Sequence, residues 1–69
     1  MTVYCLFRIL LAQDGSQLRI LENVFSTQDG AQRELVRLTD LMAVPETRKA
    51  RHLIGVYEIT FRWVSYEVL

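Results

Sequence analysis

The run TVYCLFRILLA, residues 2 to 12, is largely apolar on both faces that a strand would present. Val3, Cys5, Phe7, Ile9 and Leu11 alternate with Tyr4, Leu6, Arg8, Leu10 and Ala12. Such a segment belongs at the centre of a sheet, or is covered on both sides. The chain has only 69 residues, which sets one domain as the expectation. A domain near 60 residues buries only about 60% of its unfolded surface. Chains this small often add disulfides, metals or oligomer contacts.

The punctuation after this run orders the rest. Asp14-Gly15 is a hairpin signal, because both residues tolerate positive φ. The next run, LRILENVF, alternates as a second strand. Leu18, Ile20 and Val24 share one face with Glu22, and Arg19, Leu21 and Asn23 share the other. VFSTQDGAQREL then turns strand into helix. Ser26 is placed at the N-cap, with Asp29 at N3 adding negative charge at the positive end of the helix dipole. The helix is expected from about Thr27 to Ala43. Ala31, Leu35, Leu38 and Met42 form its apolar stripe, widened by Leu41. Asp29 and Arg33 stand as an i,i+4 pair. Gly30 either weakens the first turn by about 1 kcal/mol relative to alanine or lets another backbone approach.

Pro45 ends the helix by forcing Val44 toward extended geometry. Residues 46 to 53, ETRKARHL, read as a loop with one helical turn. The other reading is a short second helix with Pro45 at N1 and Gly55 just past its end. Residues 54 to 69 are strand again. Tyr57, Ile59, Phe61 and Trp63 share a face, after which Val64, Tyr66 and Val68 become the apolar set. A bulge or bend accounts for that change. The order is β-β-α-β, an α+β fold. A right-handed crossover gives a three-stranded antiparallel or mixed sheet of order 2-1-3, with one main helix on one face.

One helix covers one face only. The other exposes either the Tyr4, Leu6 and Leu10 set or its opposite, joined by Leu21 and part of the Tyr66 and Val68 tail, and an apolar patch of that size marks an interface. The candidate partner-binding residues are Tyr4, Leu6, Leu10, Arg62, Tyr66 and Val68; Tyr and Arg are enriched at binding hot spots.

Other chemistry is sparse. Eight basic and eight acidic side chains cancel, so no global pull acts toward nucleic acid or an anionic membrane. Cys5 is the only cysteine, which excludes a disulfide within the chain, and it reads as a small core residue. This cysteine usage fits a reducing cytoplasm. No signal peptide or membrane span is read. Carboxylates are not paired as acid–base catalysis needs, and the three glycines are isolated, so no enzyme activity and no cofactor or metal is expected. Arg48, Lys49, Arg51 and His52, with Arg33 and Arg37 on the helix, form either a phosphate-binding surface or solvated faces. His52 itself reads as a solvated loop residue. Tyr57, Phe61 and Trp63 alternate as stacking platforms do, but a core-facing strand needs the same spacing, and core is the reading taken.

At VFSTQDGAQREL the chain resembles many small phage and bacterial proteins. These have a hairpin, a strand ending in an aromatic-Ser-Ser/Thr step, and a helix with alanine five residues after the cap. Phe25, Ser26, Thr27 and Ala31 occupy those positions. The resemblance implies a binding protein, and some such phage proteins block a host protein, as anti-CRISPR factors do. The two-sided apolar sheet with one helix sets the expected function: a small non-enzymatic protein-interaction module, a homodimer or complex subunit, with a phage-encoded inhibitor of a host protein as the form that the resemblance suggests. The alternative is a nucleic-acid-binding accessory protein using the 48–52 segment and the helix arginines. A small-ligand sensor completed by dimerisation is a further alternative.

Overall fold

The structure is a computed structural model that describes the backbone throughout and every side chain except those of His52 and Leu53. Strands β1 (Thr2–Ala12), β2 (Gln17–Phe25) and β3 (Val56–Glu67) form one sheet in the order β2-β1-β3. Helices α1 (Gln28–Met42) and α2 (Pro45–Leu53) connect β2 to β3. Both neighbours of β1 run antiparallel to it, so the sheet is wholly antiparallel rather than mixed. The doubly apolar β1 is central, where both of its edges are hydrogen-bonded.

The β1–β2 hairpin turns at Gly15, whose φ of +88° is open to glycine without strain. The Ala12 N–H donates to the Ser16 carbonyl at 2.9 Å. The Asp14 carboxylate accepts from the Ser16 N–H at 2.9 Å and from its hydroxyl at 2.6 Å, an Asx-type turn. Beyond the turn the alternation of β2 breaks. Leu6 pairs with Asn23 and Phe7 with Leu21, so Glu22 is an extra residue in a bulge. The bulge corrects the sequence reading of β2. Val24 joins the side of Leu21 and Arg19, while Asn23 crosses to the side of Leu18 and Ile20. Glu22 forms an ion pair with Arg8, whose guanidinium also sits 5.8 Å from the Phe61 ring centre.

No bulge occurs after Trp63. The β1–β3 register runs unbroken from Thr2–Glu67 to Leu11–Glu58. The change at Val64 is instead a change in which face carries the apolar side chains. The register shift lies at the other end, beside Ala12, and Tyr57 there is 60% exposed rather than part of the core.

The N-cap of α1 is Thr27, not Ser26. Its backbone is extended (φ −130°, ψ 148°), and its Oγ1 accepts from the Gly30 N–H at 3.1 Å. What approaches Gly30 is a side chain rather than a backbone. A Cβ there would lie 3.2 Å from the Phe25 ring and 3.1 Å from the Thr27 hydroxyl. Ala31 and Leu38 are buried and Leu35 and Met42 half-buried, but Leu41 is 48% exposed, so the stripe is narrower than expected. Arg37 pairs with Glu34, and no ion pair joins Asp29 to Arg33.

Residues 45 to 53 are helical over nine residues rather than a loop with one turn. Pro45 at the first position has no N–H to waste, Glu46 favours the first turn, and Gly55 follows the end at φ +79°. Both helices pack on the side of Leu6. Trp63 Nε1 donates to Gln32 Oε1 of α1 at 2.9 Å, and Tyr4 meets the Trp63 ring edge-on at 5.7 Å.

Among the described residues only Leu6, Ala31 and Leu38 are buried, Leu6 and Ala31 completely. The accessible surface is 5106 Å², against about 4,500 Å² for a monomer of this mass. The Cα radius of gyration is 13.4 Å, against about 11 Å for a compact domain of this length. The molecule measures 41 × 23 × 11 Å, a thin slab with helices on one side.

Candidate functional site: the open face of the sheet

Antiparallel pairing assigns every position of the sheet to one of two sides. On the side away from the helices β1 contributes Val3, Cys5, Phe7, Ile9 and Leu11. From β2 come Val24, Leu21, Arg19 and Gln17, and from β3 Tyr66, Val64, Arg62, Thr60 and Glu58. Apolar residues fill the end bearing Val3, Cys5 and Phe7. Polar residues flank Ile9 and Leu11 at the other end. The β1 members are half-buried by their strand neighbours alone, while Leu21, Val24 and Tyr66 are 52%, 47% and 44% exposed. An open groove of about 530 Å³ runs over Phe7, Ile9 and Val64, walled by Gln17, Arg19, Arg62 and Tyr66. The Arg19 guanidinium lies 4.4 Å from the Phe7 ring centre, a cation–π stack on the open surface.

The candidate partner residues therefore divide between the two sides. Arg62 and Tyr66 line the groove. Val68 lies past the end of β3, 47% exposed, with its N–H bonded to the Met1 carbonyl at 2.7 Å. Tyr4, Leu6 and Leu10 lie on the helix side, which corrects the expectation that they face a partner. Leu6 is completely buried, Tyr4 packs on Trp63, and Leu10 pairs between Leu18 and Ile59. The register supplies the reason. The even-numbered set of β1 shares its side with Ile59, Phe61 and Trp63, the bulkiest surface available to a helix. Arg19 and Val64 are not singled out by the sequence, Phe7 and Ile9 belong to the opposite set that it leaves open, and Leu21 is expected beside the patch on either choice. The signal that finds them is the β1–β3 register: once Phe61 and Trp63 are core, the β1 residues paired with Arg62 and Val64 must be outward.

The basic residues do not form one surface. Arg37 is engaged by Glu34, which holds its guanidinium pKa above the ordinary value through a hydrogen bond and charge attraction. Arg48 and Arg51 border a hollow of about 200 Å³ that also contains Glu58, a counter-charge. Arg33 and Lys49 are exposed. The expectation for the His52 side chain lies outside the described residues.

Among the described residues no three His, Cys, Asp or Glu side chains gather as a metal site, and no helix is long and apolar enough to cross a membrane. No protein-family model matches the chain, and no curated protein or solved structure matches it significantly.

Proposed function

We propose that this chain is a small protein-interaction module that works through the open face of its sheet. The observation that supports this is the uncovered apolar surface around Phe7, Ile9 and Val64, with Arg19, Arg62 and Tyr66 at its border. Aromatic and arginine side chains around an apolar centre make a hot-spot composition. The order of elements resembles that of many small phage and bacterial proteins, some of which act by binding and blocking a host protein. Binding of nucleic acid is the weaker reading, since the basic residues do not form one surface and Arg37 is engaged by Glu34.

Val64→Arg tests the reading by placing a charge at the centre of the groove. Wild type either sediments as an assembly or, if monomeric, binds the apolar dye bis-ANS. The variant keeps its far-UV spectrum and loses whichever behaviour wild type shows. A wild-type monomer that binds no dye overturns the reading.

A further inference from the structure

We propose that the occupant of the open face is a second copy of this chain, packed sheet on sheet about a two-fold axis parallel to the strands. This rests on the reading that the open face is the docking surface. Three observations carry it.

The first is area. β1 has 11 residues, and three strands at about 4.8 Å spacing and about 3.3 Å per residue make a face of roughly 36 × 14 Å. Two such faces bury about 1,000 Å², the area a biological interface must clear and the low end of the range for specific pairs. The second is the unfinished core. The protomer is 11 Å thick in its thinnest dimension and exposes more surface than its mass warrants. Stacking sheets about 10 Å apart is the usual way to bury such a face, and obligate interfaces resemble a core cut in half.

The third is charge. An axis along the strands lays β2 of one copy over β3 of the other. At equal register Val24 then meets Val64, Leu21 meets Arg62, and Arg19 meets Thr60, so no like charges are opposed. Each pairing occurs twice, because a two-fold interface uses the same patch on both copies. An axis across the strands at Phe7 instead sets Arg62 against Arg62, which costs electrostatic energy.

Sedimentation equilibrium of the full chain, combined with the reactivity of Cys5 toward DTNB, tests the proposal. Cys5 lies on the open face and is the only thiol. Wild type is expected to have dimer mass at micromolar concentration, with a protected thiol. Val64→Arg is expected to give monomer mass and a fast-reacting thiol. Leu21→Arg does the same at a half-exposed position, which covers the case that Val64→Arg does not fold. Val36→Glu, exposed on α1, leaves the dimer intact. A dimer that survives both open-face variants overturns the proposal in favour of pairing along a strand edge. A wild type that stays monomeric also overturns it; dye binding abolished by Val64→Arg then leaves the docking face standing with a different occupant, and absent dye binding removes both.

Discussion

Leu6 and Phe7 are neighbours on β1, yet they meet opposite fates. Leu6 has no exposure and sits beneath α1 with Trp63 and Phe61 on its own side. Phe7 is covered only by its strand neighbours and the guanidinium of Arg19. The same strand therefore serves a finished face and an unfinished one. What differs is the partner. The two helices of the crossover between β2 and β3 close one side, and no element of these 69 residues covers the other. An apolar pattern states that a face wants covering; it does not state what covers it.

The sharpest way to break this comparison is to truncate each face in turn. Leu6→Ala is expected to cost about 3 kcal/mol or more, the usual range for a fully buried leucine. That loss is a large fraction of the roughly 3 to 10 kcal/mol that a domain of this size has in total. Ile9→Ala, on the open side of the same strand, is expected to cost about 1 kcal/mol when measured in a monomeric Leu21→Arg background. Urea denaturation of both variants is the measurement. Equal costs would mean that the two faces are equally buried in the monomer and that the distinction fails.

The seating of α1, which creates the difference between the faces, depends on the joint at Phe25–Gly30. Helix propensity alone predicts that Gly30→Ala stabilises by about 1 kcal/mol. The structure sets two tight contacts against that gain. The added Cβ must displace the Phe25 ring or the Thr27 hydroxyl, and that hydroxyl caps the N–H of residue 30 itself. A net change below the propensity gain, at or under zero, is expected by thermal or urea unfolding, because the half-buried Phe25 ring and the capping hydroxyl must each give by a few tenths of an ångström. A net gain would show that Phe25 is free to move and that α1 is loosely seated.

The readable and unreadable parts of this chain divide by range. Strand order, the hairpin at Asp14-Gly15 and the Ala31–Leu38 stripe follow from local pattern and chain connectivity. The bulge at Glu22 does not, because the alternation through Leu18, Ile20, Glu22 and Val24 is unbroken in sequence. It becomes visible only when β2 is set against β1 and Glu22 finds Arg8. The choice between Tyr4, Leu6, Leu10 and their opposites failed for the same reason: both sets are apolar, and only the pairing with Phe61 and Trp63 separates them. Ser26 and Thr27 are both able to cap, and a one-residue difference in where the strand ends decides for Thr27. The helix at 45–53 was held back by its polar composition, although Pro45 and Gly55 marked its two ends.

The smallest expected effect lies at the hairpin tip, which belongs to neither face. The Ser16 hydroxyl and then its N–H hydrogen-bond the Asp14 carboxylate, which holds the Asp14 pKa below its ordinary 3.8. A lowered folded-state pKa means that the carboxylate's contribution is present above the unfolded value and is lost as pH falls through the folded one. The turn should therefore hold at neutral pH and loosen only in strong acid. A carboxyl-carbon titration by NMR is expected to place the Asp14 midpoint below 3.8, and Ser16→Ala should bring it back toward that value. If the group is solvated and free, the midpoint stays at the ordinary value and Ser16→Ala leaves it unchanged. Because the tip touches neither the α1 side nor the groove, this titration should be the same in wild type and in Leu21→Arg. A difference between them would mean that covering the open face reaches the turn, and that the two sides are not independent.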